Sequence, residues 1–176
     1  MKTTFTKMLV MFLSLAMTLV VQLPKKPVYA STSITEIGLN QTEFRKAFFD
    51  ASRIYGKAGC GDMDLAEMTA KHALRTGLSA NLVAAVVAIE SSCDPLAVSN
   101  RGAVGIMQVN VKVQSEKFDN FRMINLFNPE QGMSVGTDIL ASMVKTWGLK
   151  AGVSHYNGSG PDAEAYAMKV LALAGK

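Results

Sequence analysis

The sequence predicts a mainly α domain of the α+β kind, a set of helices with one short β-hairpin beside a cleft. Three observations predict it. Several segments place apolar residues at helical spacing between glycine and proline stops. One of them, Leu82 to Ile89, is apolar on every side, which for a helix means burial rather than a half-wet surface. Finally, Gly102-Ala103-Val104-Gly105-Ile106-Met107 sets two glycines three apart in a short, mostly apolar stretch, which suits a tight strand or hairpin whose backbone passes close to something.

Taken in order, residues 1–30 read as a secretory signal peptide. Lys2 and Lys7 supply a basic start, Met8 to Leu23 an apolar stretch too short for an ordinary membrane span, and Val28-Tyr29-Ala30 a small-x-small cleavage site. No cysteine follows at a lipidation position. Export to the periplasm or the extracellular wall region is therefore expected. Removing the signal takes four of the 18 basic residues and no acid, leaving 14 basic against 14 acidic groups. A neutral mature chain gives no electrostatic case for nucleic acid or an anionic membrane. Its 146 residues suffice for one domain with a sizeable core, assigned to residues 41–176 after a polar, mobile leader at 31–40.

Within that domain a first helix is expected from about Thr42 to Tyr55, with Phe44, Ala47, Phe48, Ala51 and Ile54 at helical spacing and Gly56 and Gly59 closing it. A second follows a cap at Asp62 or Asp64 and runs through Leu74 to a stop at Gly77, with His72 as a surface or part-buried structural residue. Ser79 caps the apolar helix. Asn110 to Asn125 reads as a loop or short strand, and Phe118, Phe121 and Phe127 either line a groove or cover the core. Asn128 and Pro129 open a helix to about Trp147, Ala151 to Tyr156 forms a short one ending at Asn157-Gly158, and Ala163 to Leu173 a last one.

The chemistry centres on Glu90. It follows the apolar run, and Pro95 removes a backbone donor and biases Asp94 away from helical angles, so the helix ends near Ser92 or Cys93 with Glu90 in its last turn. Burial and the negative helix end both raise a carboxyl pKa there. A raised carboxyl is what a general acid needs, although a glutamate at a helix end can also simply reach solvent.

Glu90-Ser91, Pro95-x-Ala97-x-Ser99, Gly102-Ala103-Val104-Gly105-Ile106-Met107-Gln108, Asn128-Pro129-Glu130 with Gly136, and Tyr156-Asn157-Gly158 occur in that order. This ordered set resembles the catalytic domain of the soluble-type lytic transglycosylases, over residues 78 to 174. The resemblance implies a lysozyme-like fold and cleavage of the MurNAc-GlcNAc β-1,4 bond of peptidoglycan, with Glu90 first donating a proton to the glycosidic oxygen and then taking one from the C6 hydroxyl of the same MurNAc. The product is a 1,6-anhydro end, and no cofactor or metal is needed. It further implies Ser99, Met107 and Gln108 as groove residues, Tyr156 and Asn157 as the turn facing the acid, and Tyr166 near the same cleft; for Met107, core packing is an equal reading. Gly132 where the family usually has Asn, and His155 in place of a small residue, depart from the pattern. The lack of an appended binding domain is similar to the small single-domain members that open the wall for secretion, conjugation or pilus machines, which makes such a machine an expected partner and a monomer the expected state.

Cys60 and Cys93 are the only cysteines, and export predicts that they form a disulfide; two buried free thiols are the competing reading. Neither they nor His72 and His155 have zinc-site spacing. A Ser91-His155-acid triad has no support in spacing. Two other functions share the scaffold, a hydrolytic muramidase using water and a catalytically idle wall-binding assembly component. Asp94, Glu116, Asp119 and Glu130 are available as a second carboxylate.

Overall fold

The structure is a computed structural model that describes residues 40–110, 112 and 124–176. The expected signal peptide, almost all of the expected leader, and Phe118, Phe121, Glu116 and Asp119 lie outside the described residues. Among the described residues the chain forms six α-helices and one two-stranded sheet: α1 (Gln41–Ala58), α2 (Met63–Thr76), α3 (Ala80–Ser91), β1 (Ala103–Val104), β2 (Val109–Asn110), α4 (Pro129–Trp147), α5 (Leu149–Asn157) and α6 (Pro161–Ala174). The mainly α expectation holds.

Local chemistry sets the ends. The Asn40 side chain caps α1, Asp62 caps α2, Ser79 caps α3 and Asn128 caps α4, each accepting a first-turn backbone N–H. Helices α1, α2, α5 and α6 run longer than their spacing predicts. The first continues to Ala58 because Gly56 is tolerated inside it and Gly59 takes the left-handed cap. The last starts at Pro161, where proline sits without loss at the first helical position.

Helix α3 is the hub. Its Leu82 to Val87 are all buried, and α1, α2 and α6 pack around it, with α4 against α2 and α5 between α4 and α6. The all-round apolar pattern thus reports a central helix. On the other face of α2, Lys71 and His72 both meet the Glu130 carboxylate, and Arg75 reaches Asp138 at 2.8 Å, the Ser134 carbonyl and the Thr137 hydroxyl. His72 is buried, not at the surface or part-buried as its sequence context suggests, because its ring is taken up against Glu130 of α4. His72 and Lys71 hold the Glu130 carboxyl down at about 2, chiefly through the His72 hydrogen bond.

The Cys60–Cys93 disulfide is formed, with Cα atoms 5.8 Å apart. It ties the α1–α2 turn to the chain just after α3. Ser92 (φ 52°) and Cys93 (φ 66°) are consecutive non-glycine residues in the left-handed region. That conformation is disfavoured for side-chain-bearing residues, and the bridge is one of the restraints that hold it.

Candidate active site

The C-terminal turn of α3 delivers Glu90 into a cleft of about 380 Å³, walled by the hairpin (Ser99, Arg101, Ala103, Gln108, Val109, Asn110), by Ile139 and Met143 of α4, and by His155 to Gly158. Burial raises the Glu90 carboxyl from an ordinary 4.5 to about 7, against a smaller opposing interaction with the Tyr166 phenol. At neutral pH the group is thus divided between acid and carboxylate, the state in which it can both give and take a proton. It is the one carboxylate among the described cleft residues. Asp94 accepts from the Leu96 backbone N–H in an exposed turn, and Glu130 is engaged by α2, so neither supplies a second acid here.

Two tyrosines border the acid. The Tyr166 phenol is buried on α6 and held far above its usual range by burial first and then by the Glu90 charge, and its hydroxyl makes no hydrogen bond of good geometry although it interacts with that carboxyl. The Tyr156 hydroxyl donates to the Met107 carbonyl at 2.8 Å, and it too is raised by burial and by Glu90. Both therefore stay neutral hydrogen-bonding groups throughout the range where Glu90 titrates.

The hairpin is built by backbone constraints. Ala103 pairs with Asn110 and Val104 with Val109 in antiparallel register, around a turn at Gly105 to Gln108. The Ser99 hydroxyl accepts from the N–H groups of Arg101 and Ala103, and the Gln108 amide donates to the carbonyls of Ala97 and Gly105, both at 3.0 Å. Gln108 itself has φ 48°. At Gly105 a Cβ would fall 2.1 Å from the Leu126 carbonyl oxygen, so only glycine lets the turn lie against the entry to α4. Gly132 is close to the same carbonyl, 2.9 Å from a Cβ built on it, which accounts for glycine where the resemblance leads one to expect asparagine.

Ser99, Gln108, Tyr156 and Asn157 line the cleft with Glu90, and Tyr166 stands behind the acid. Met107 does not line the cleft. Its side chain is fully buried, packed where Gly136 leaves no Cβ, since one there would sit 2.6 Å from the methionine Cβ and sulfur. The expectation that it contacts saccharide is corrected to a core role, with only its carbonyl engaged at the site, by Tyr156. Ser91, quoted in the motif without a role, is what sequence reasoning missed. Its hydroxyl donates to the Ile106 carbonyl at 2.8 Å and to Val87 at 3.1 Å, which leaves it no part as a nucleophile and makes it the tie between α3 and the hairpin turn.

A hydrophobic central helix that ends on a single protonatable acid, faced by a short hairpin and flanked by tyrosines from later helices, defines a lysozyme-like domain. The family model described as the transglycosylase SLT domain matches residues 67–169, and the chain belongs to that family. It is similar to the endo-type membrane-bound lytic murein transglycosylase A of Citrobacter koseri, 34% identical over 103 residues, which cover 53% of this chain and 46% of that protein. It is also similar to the membrane-bound lytic murein transglycosylase C of Edwardsiella ictaluri, 33% identical over 88 residues, or 46% of this chain and 24% of that one. The chain thus spans less than half the length of either curated relative. No solved structure matches it significantly.

Proposed function

We propose that the chain is a peptidoglycan lytic transglycosylase, and that Glu90 is its sole catalytic acid and base. The observation that carries this is a part-buried carboxyl raised to about 7 in a cleft with no second carboxylate among the described residues. Protonated Glu90 gives its proton to the glycosidic oxygen as the bond from C1 breaks. The resulting carboxylate removes the proton from the C6 hydroxyl of the MurNAc ring while that oxygen bonds to C1. Glu90 ends protonated, and no water is consumed. A hydrolase ordinarily needs a second carboxylate, either to activate water or to attack C1, whereas here the nucleophile belongs to the substrate. Tyr156 and Tyr166 stay neutral beside the acid, and the Tyr166 interaction only partly opposes the burial that raises Glu90. Ser99, Gln108 and Asn157 hold the glycan against the acid.

Mass spectrometry of digested sacculi tests the reading: anhydro ends are expected, reducing ends would make the protein a muramidase, and intact sacculi would make it a non-catalytic wall component. Turnover should fall as pH rises through about 7, where the starting acid is lost. The signal at residues 1–30 and the disulfide both favour action outside the cytoplasm, and the exported protein should begin at Ser31 on N-terminal sequencing; retention of Met1 would overturn this. The domain would act as a monomer opening the wall locally for a secretion, conjugation or pilus machine, and co-purification with such a machine from crosslinked cells is the measurement that would support or remove this role.

A further inference from the structure

The mechanism leaves one prominent surface feature unused. Trp147, the only tryptophan in the chain, is 56% exposed at the last residue of α4. A large aromatic ring left in water beside a cleft is lost apolar contact unless something covers it. Its indole meets the His155 ring with centroids 4.7 Å apart and planes tilted by 41°, and His155 is itself a wall residue of the Glu90 cleft. The two rings are brought to the same edge by the α4–α5 turn. Gly148 adopts φ 78° and reverses the chain, and Gly152 packs so closely on α4 that a Cβ there would lie 2.6 Å from Val144 Cα. The indole thus lies against a residue of the cleft wall without lining the cleft itself.

We propose that Trp147, braced by His155, is a stacking platform that extends the cleft by one saccharide subsite and takes the apolar face of an N-acetylated hexopyranose ring of the glycan. The proposal rests on the transglycosylase reading of the cleft, because it assigns the occupant to the same strand that crosses Glu90. A β-linked pyranose presents axial C–H groups on one face, which suit a flat aromatic surface. His155 has a second consequence: by packing on the indole it fixes the ring plane, so that less side-chain freedom is lost when sugar arrives.

The test uses the full chain carrying Glu90→Gln, which holds glycan without turnover, and peptide-free N-acetylglucosamine oligomers as the probe. Indole emission reports Trp147 alone, while calorimetry reports binding anywhere. The expected result is a saturable emission change that tracks the calorimetric isotherm. Trp147→Ala in this background should weaken binding about tenfold and Trp147→Phe should restore most of it. With the catalytic Glu90 present, Trp147→Ala should raise KM for glycan with kcat unchanged. Binding by calorimetry with unchanged emission, or full affinity in Trp147→Ala, overturns the platform and leaves the transglycosylase reading standing. An emission change seen only with peptide-bearing fragments makes the occupant a stem peptide and overturns the saccharide assignment. No binding of oligomers or of peptidoglycan fragments by either method overturns both.

Discussion

Glu90→Gln is expected to abolish nearly all turnover and, at the same time, to make the protein more stable in mild alkali. The first effect follows from the loss of proton exchange, with general acid–base terms alone worth about 10² to 10⁴ in rate. The second follows from linkage. The carboxyl titrates near 7 in the native protein against 4.5 ordinarily, so the unfolded chain loses this proton first. Below about pH 4.5 both states are protonated and the native state has its full advantage; as pH rises towards 7 and beyond, that advantage disappears. At pH well above 7 the wild type carries a buried carboxylate at a cost of about 3 kcal/mol, an upper figure for a part-buried group, which glutamine avoids. Chemical denaturation at acid and at mildly alkaline pH reads this directly. A variant no more stable than wild type in alkali, or one with near-normal turnover, contradicts the assignment.

Removing the disulfide should have the largest effect on stability. With 33 residues of separation, Cys60→Ala together with Cys93→Ala should lower the unfolding free energy by about 3 to 4 kcal/mol in the chain-entropy model. The loss should not be purely global. Ser92 and Cys93 hold left-handed angles directly after the turn that carries Glu90, and without the bridge that restraint is removed. Turnover should therefore fall even at temperatures where the double variant is fully folded. Unchanged denaturant midpoints would show that the loop is already restrained in the unfolded chain.

The parts of the molecule legible in the sequence are those decided by neighbours along the chain. Caps at Asp62, Ser79 and Asn128 are local chemistry, and so is the stop that leaves Glu90 in the last turn of its helix. The burial of α3 was equally plain, because no face of Leu82 to Ile89 is polar. What escaped depends on distant partners. Met107 reads as either core or groove until Gly136, on another element, is found to leave the slot that it fills. The clamp of Lys71, His72 and Arg75 on α4 joins residues about sixty positions apart, and alternation or helical spacing carries no trace of it. Ser91 could have been found from its buried position one residue after the acid, but its acceptor at Ile106 is set by the fold of the hairpin turn.

That hairpin turn has adjacent carbonyls held by two different helices, Ile106 by Ser91 on α3 and Met107 by Tyr156 on α5. The hairpin that walls the cleft is therefore joined to two separate helices through successive peptide units, and it cannot drift from the acid without giving up a buried hydrogen bond. The geometry of the site is assembled during folding, before any ligand arrives. The entropy of organising the site is charged to the folding equilibrium, so on the transglycosylase reading the affinity for glycan is free to be modest, which would suit release of an insoluble polymer after each cut.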